Sequence, residues 1–569
     1  MYKIFGNTSP FLINLIDDEM PFSMDEYFEI GDNANNNPIC RVIKTWAAKE
    51  DEKSAVQYFA TAKIETSITK PINPESMVFK PSITKLEKYL LPTSPNNGLL
   101  LGQIEGTEEA RPEYQNLMLI KTDNGFEKQK IMPFVFDFKK MSEYPHVAIF
   151  GGSGSGKTVA IKCIVEEATR FGIPMIILDP HLEMDFKNDF SNHMFDDIRR
   201  VKDESTVKTF NVGKEIGISF TDLNGDELAS IISASSKTSD AMETALKDIF
   251  TPGEMLSNLK NKLELLRDAI QKRYNGDSLD DDEEKMLARY GKSIASSSTV
   301  QAILWRLSSV ESSGIFSCGL DDIISAISNQ KICVVRGSVT QLNLLTGYMV
   351  SKFYKMRRDY IDNNSDAFNP FIVAMDESHL FCPKSDDFSP AKNILKTIAQ
   401  EGRKYGVFEI MATQRPALLD TTIVAQASTK MIFRLSVKED LSTVQKETDL
   451  TEDEVKRLPY MASGECYVSS PVFGRTIAVK IRCATTVPKV SSNPFDELRK
   501  IPTLSPEKQA IMANLPITNI DSREKLKEIN NGLENKMSVP ELMKHLEELS
   551  DAGKVLKTPK VFGFEYSKN

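Results

Sequence analysis

The stretch HVAIFGGSGSGKT, His146 to Thr158, constrains the fold more than any other part of the chain. Val147, Ala148, Ile149 and Phe150 form a short apolar run with β-branched members, which predicts a buried central strand of a parallel sheet. Gly151 to Thr158 then satisfies G-x-x-x-x-G-K-[ST] at every fixed position, and Val159 to Val165 continues with helical spacing. Strand, glycine loop and helix in that order predict a phosphate-binding loop. Glycines let backbone N–H groups close around an anion, and the helix N-terminus adds partial positive charge. Gly152, Ser153, Gly154, Ser155, Gly156, Lys157, Thr158 and Val159 are the candidate nucleotide-contacting residues. Lys157 suits the β- and γ-phosphates, and the Thr158 hydroxyl suits magnesium. A Gly/Ser linker would not be framed by a strand and a helix.

A chain of 569 residues has room for about three domains. It is 41% apolar and 26% charged, the balance of a globular protein. No apolar run is long enough to span a bilayer, and no basic segment followed by an apolar one opens the sequence. A cytoplasmic protein without membrane contact is expected. The seven cysteines are scattered without a C-x-x-C pair, which favours reduced thiols over disulfides or zinc. The five histidines do not cluster, so no structural metal site is expected. With a net charge of −10, contact with nucleic acid must come from a local basic lining such as a ring pore.

Residues 1–135 are β-rich, with strands expected at Phe11–Ile16, Tyr58–Ile64 and Leu99–Ile104, and predict a small β-barrel for assembly or docking. Residues 136–485 alternate strands and helices, which predicts a parallel sheet with right-handed crossovers, interrupted by a helical insertion at about 225–330. The acidic run Asp280 to Glu284 lacks calcium-loop spacing and reads as a solvated helix start. Residues 486–569 are mainly helical, with a hairpin possible near Lys554 to Tyr566 and a winged-helix-like tail as one option.

Four features separate the kinds of phosphate-loop protein. Phe371 to Met375 is an apolar strand ending in Asp376-Glu377; Asp376 suits a magnesium acid acting through water, and Glu377 suits the base for an attacking water. Ile410 to Gln414 ends another strand with polar residues, and Gln414 suits a γ-phosphate sensor. No N-K-x-D guanine motif is present, since Asn261-Lys262-Leu263-Glu264 ends in the wrong acid, and no LSGGQ-type segment occurs.

GGSGSGKT at Gly151, DPHLE at Asp179, VAMDESHLF at Val373, QEGRKYGVFEIMATQRP at Gln400 and GECYV at Gly464 together resemble the HerA branch of the HerA–FtsK ATPases, over about 90 to 485. The resemblance implies an α/β, RecA-like P-loop sheet flanked by helices and an N-terminal HAS-barrel-like domain. It implies ATP with Mg2+, a homo-hexameric ring, DNA translocated through the pore, and a nuclease or sirtuin-like effector, as in bacterial anti-phage defence complexes. It places Lys157, Glu377, Gln414 and Arg403 in catalysis, Thr158 and Asp376 at the metal, and Arg403 as an arginine reaching into the neighbouring site. Arg415 and Arg434 compete for that last role, and Asp179 either orders a metal water or caps its strand. Two departures stand out. Pro145 occupies a position where the family often has arginine, and Leu182 replaces the glycine of DPHGE, which threatens to displace Glu183. A second reading is a nucleotide-dependent ring scaffold that regulates an effector with little motor activity.

Overall fold

The computed structural model describes the chain except residues 1, 33–35, 50–54, 123–124, 188–203, 236–237, 295, 386–388, 487–504, 519–521, 534–535, 552, 562 and 569. It forms two compact units, Met1–Pro488 and Lys489–Asn569. The boundary expected near 485 runs into 487–504, outside the described residues.

The first unit begins with β1 (Lys3–Phe5), β2 (Leu12–Asp17), β3 (Tyr27–Ile30), β4 (Ile39–Ala48), β5 (Gln57–Ile64) and β6 (Val78–Phe79). They pair antiparallel in the order β1-β2-β5-β4-β3-β6 around a small apolar core that includes Leu15, Phe28, Val42 and Ala60. Helix α1 (Ile83–Leu90) follows, capped by the Ser82 side chain, which accepts from the Lys85 N–H.

The next strands leave this sheet. β7 (Leu99–Ile104) and β10 (Pro133–Phe136) pair with each other, and β7 joins the edge of the central sheet through β19 (Arg475–Ile481). The sequence grouped Leu99–Ile104 with the N-terminal strands; its second partner, β19, lies about 375 residues on, a pairing no local pattern announces. Between them β8 (Leu119–Thr122) and β9 (Gly125–Lys128) make a separate hairpin.

The central sheet has 11 strands in the order β10-β7-β19-β18-β17-β11-β16-β15-β12-β14-β13. Here β11 is Val147–Phe150, β12 Met175–Asp179, β13 Val207–Asn211, β14 Ile332–Arg336, β15 Phe371–Met375, β16 Val407–Thr413, β17 Thr429–Phe433 and β18 Glu465–Ser470. From β17 to β13 all neighbours are parallel, while β18, β19, β7 and β10 run antiparallel. Both faces are covered, so β11 and β15 are apolar at every position. Val147 and Ile149 pack on α2 (Lys157–Phe171) through Ala160, Ile161 and Ile164. Ala148 and Phe150 face the opposite core, shared with α9 (Val339–Asn363) and α10 (Pro390–Glu401).

The helical insertion comprises α3 (Gly225–Ser235), α4 (Asp240–Ile249), α5 (Leu256–Asn275), α6 (Asp281–Tyr290), α7 (Ser297–Ser312) and α8 (Asp321–Ser328). The acidic run starts a helix: the Asp280 side chain accepts from the Asp282 and Glu283 N–H groups, and Glu283 completes a capping box. After β16 come α11 (Thr421–Gln426), α12 (Lys438–Glu447) and α13 (Glu452–Arg457).

A fully buried arginine joins the N-terminal sheet to the central one. Arg41 of β4 reaches Asp25 at 2.7 Å, Glu65 at 3.1 Å and Glu454 of α13 at 2.5 Å. Arg457 adds a second cation to Asp25 and donates to the Tyr467 hydroxyl at 2.9 Å.

The second unit contains α14 (Pro506–Ala513), β20 (Ile517–Thr518), α15 (Ser522–Asn531), α16 (Val539–Asp551), β21 (Val555–Lys560) and β22 (Gly563–Lys568). The strands pair in the order β20-β22-β21 over a core of Ile511, Leu526, Leu542, Leu546 and Tyr566. His545 sits half-buried beside Glu548, 3.3 Å away, at the rim of that core. All seven cysteines are free thiols.

Candidate nucleotide-binding site

The glycine loop sits at the C-terminal end of β11 and opens α2, with strands on both sides. Two glycines there are dictated by space and conformation. A Cβ on Gly151 would stand 2.5 Å from the Ser155 hydroxyl and 2.6 Å from Phe433 Cβ. Gly156 has φ +114° and would press a Cβ to 3.0 Å from the Gly464 nitrogen. The GECYV segment explains that closeness: the Gly464 N–H donates to the Ser155 carbonyl at 2.8 Å and so braces the loop from β18. The Lys157 ammonium folds back onto the Gly152 carbonyl at 3.2 Å. Burial holds its pKa below the ordinary lysine value, against the pull of Glu377 and Asp376. Val159, on the first turn of α2, is exposed.

Asp376 and Glu377 end β15, separated from β11 by β16 alone. Glu377 has φ +49°, a left-handed conformation rare outside glycine, and strain of this kind gathers at functional sites. Its carboxylate is gripped from two sides. The Gln414 backbone N–H donates to Oε2 at 3.2 Å and the Gln414 side-chain amide to Oε1. His379 Nδ1 lies 3.4 Å from Oε2 and 2.9 Å from the Thr413 hydroxyl. Burial pushes the Glu377 carboxyl up, but the hydrogen bonds from His379 and Gln414 and the charge of Lys157 outweigh it and bring the pKa down to about 2. Asp376 goes the other way: burial and the Glu377 charge raise it to about 6 despite Lys157. The pair thus splits into one firmly ionised carboxylate and one that titrates closer to neutrality.

The structure therefore brings Lys157, Asp376, Glu377 and Gln414 into one site. Sequence reasoning missed His379, although a histidine two residues past the acid pair was a readable signal. Asp179 caps its own turn: it accepts from the Glu183 and Met184 N–H groups at 2.9 and 3.1 Å and pairs with Arg336 at 3.0 Å. These bonds leave it a strand-end cap. Leu182, in the glycine position of the motif, adopts φ +58°, so the turn keeps the left-handed bend at the expense of strain. Glu183 is exposed yet near enough to influence Lys157.

The three arginines differ in their surroundings. Arg403 is exposed and donates to the Glu143 carbonyl at 3.1 Å. Arg415 pairs with the fully buried Asp440 at 3.2 Å. Arg434 follows β17 and lies against the glycine loop of its own chain.

A glycine loop between a strand and a helix, with an acid pair and a polar strand end across the same edge of a parallel sheet, defines the P-loop ATPase fold class. Residues 119–355 match the family model of the helicase HerA central domain. It is 24% identical over 348 residues to the DNA double-strand break repair helicase HerA of Saccharolobus solfataricus, covering 59% of this chain and 64% of that protein. It is 26% identical over 367 residues to the protein of the same name from Pyrococcus furiosus, covering 57% of this chain and 62% of that one. The chain thus spans less than two thirds of the length of these relatives. Among solved structures, VirB4 of Thermoanaerobacter pseudethanolicus aligns with a TM-score of 0.43 at 14% identity, over 67% of this chain and 98% of that one. The plasmid coupling protein TrwB in complex with an ATP analogue aligns with a TM-score of 0.43 at 13% identity, over 68% and 98%. Among the described residues no helix is long and apolar enough to cross a membrane.

Proposed function

We propose that this chain is the ATP-hydrolysing subunit of a HerA-type DNA translocase: a homo-hexamer that moves DNA through its pore and works with a nuclease or sirtuin-like effector. One observation carries the hydrolytic part. Glu377 is held ionised and aimed by Gln414 and His379, on the same sheet edge as Lys157. In this reading the glycine-loop N–H groups and Lys157 bind the phosphates. Glu377 orients a water and takes its proton while the water oxygen bonds to the γ-phosphorus; the bond to the bridging oxygen breaks and ADP leaves with that electron pair. Gln414 keeps the base aligned and answers to the γ-phosphate.

Magnesium fits the donors present. The Thr158 hydroxyl stands at the start of α2, and Asp376 is a buried carboxyl whose pKa is raised by burial and by the Glu377 charge. Among the described residues no group of three or more acidic, histidine or cysteine side chains could hold a metal alone, which suits an ion held mostly by phosphate oxygens and water. Such an ion would neutralise charge developing on the phosphates.

The DNA part rests on the family resemblance, and a direct assay decides it. Full-length protein, alone and with the product of its genomic neighbour, is assayed for ATP hydrolysis with and without duplex DNA, and for strand displacement. A DNA-stimulated rate supports translocation. If DNA neither binds nor stimulates the complete complex, and assembly alone activates the effector, the ring is a scaffold.

A further inference from the structure

The fold fixes Arg434 against the loop of its own chain. Arg434 follows β17, which pairs with β11 on the side away from β16 and β15, and hence away from the acid pair. Its carbonyl accepts from the Gly152 N–H at 2.8 Å, so the backbone of this residue and the first turn of the loop move together. Its guanidinium turns towards the loop tip: Nη2 lies 3.9 Å from the point where a Cβ on Gly154 would stand. The residue is half-buried, and its guanidinium has no carboxylate partner among the described residues. Of the other two candidate arginines, Arg415 is engaged by Asp440 and Arg403 by the Glu143 carbonyl. A half-buried cation without a counter-ion, beside a loop of N–H groups and a lysine, is costly unless a ligand brings negative charge. A planar guanidinium matches phosphate oxygens with two parallel hydrogen bonds.

We propose that Arg434 binds the phosphates of a nucleoside polyphosphate in cis, from the same chain as Lys157, and is not the arginine that crosses to a neighbouring subunit. This rests on the reading of Gly151 to Thr158 as a nucleotide site. Because β11 lies between Arg434 and the acid pair, its charge falls on the α- and β-phosphate end, while Lys157 and Glu377 face the γ end. ADP and ATP then gain equally from Arg434.

The test measures ATP and ADP affinity by titration calorimetry on full-length Arg434→Ala, Arg434→Gln, Arg434→Lys and Lys157→Ala, with oligomeric state followed by light scattering. Arg434→Ala and Arg434→Gln are expected to weaken both nucleotides about tenfold, with part of the loss recovered in Arg434→Lys and assembly unchanged. Co-assembling Arg434→Ala with Lys157→Ala should not restore hydrolysis, because every site then carries one of the two defects and none is intact. Wild-type affinity for ADP in Arg434→Ala overturns the proposal, as does restored hydrolysis in the mixture. If Lys157→Ala also binds both nucleotides normally, the nucleotide-site reading itself is wrong.

Discussion

Glu409 gives this chain an unusual dependence of stability on pH. It sits on β16 between Val407 and Met411, whose side chains share its face and pack into the core beneath α10. The residue is fully buried, and neither carboxyl oxygen has a hydrogen-bond partner. Burial raises its pKa well above the ordinary value of 4.5, so the fold keeps the neutral form. Its contribution is therefore complete below pH 4.5 and is lost as pH rises towards the folded pKa, at the slope of one proton, about 1.4 kcal/mol per pH unit. The loss steepens above pH 4.5 towards that slope and continues until the folded pKa is reached. His146, whose Nδ1 accepts from the Glu409 backbone N–H at 3.0 Å, works in the opposite sense. Burial lowers its pKa from 6.5 to about 4, so its stability is present above 6.5 and is lost as pH falls towards 4. Glu409→Met removes one slope and leaves the other, and charges common to both proteins cancel in the difference. Both tryptophans, Trp46 and Trp305, lie in the first unit, so their fluorescence during urea unfolding reports on it. The variant should be more stable than wild type, by a margin that widens as pH rises above 4.5, towards about 1.4 kcal/mol per pH unit. A margin that stays constant with pH would refute a neutral buried Glu409.

Other expectations follow from the same contacts. Arg41→Met leaves Glu65 and Glu454 buried without their cation, while Asp25 keeps Arg457, and should cost about 3–5 kcal/mol in the same urea unfolding; a change under 1 kcal/mol would mean that the cluster is hydrated. Arg403→Ala should keep nucleotide affinity and lose turnover, and co-assembly with Lys157→Ala should recover part of it, because one type of interface then pairs an intact loop with an intact arginine. Homomers that are inactive alone and remain inactive when demonstrably mixed would remove Arg403 from the trans role.

The parts of the site that were legible in the sequence are those encoded within one strand and its turn. Gly151 to Thr158 and Asp376-Glu377 each follow an apolar strand run, and Gln414 ends another, so local pattern was enough to place all three at strand ends. What was not legible depends on distant pairing. The ion pair between Arg41 and Glu454 spans 413 residues, and β7 finds its place only through β19. β4, with its outer half exposed, lacks the apolar run that marks an inner strand. Asp179 shows a different limit: a strand-end acid reads alike in sequence whether it faces a metal or caps its own turn, and only the hydrogen bonds from Glu183 and Met184 separate the two.

The central claim is that Glu377 is the base of an ATP-hydrolysing site, and single-turnover hydrolysis by Glu377→Gln tests it most directly. The amide keeps the shape of the side chain but cannot take a proton from water. With ATP binding confirmed by titration and the ring intact, the hydrolysis step should slow about a hundredfold or more relative to wild type. Wild-type single-turnover rates in Glu377→Gln would contradict the account.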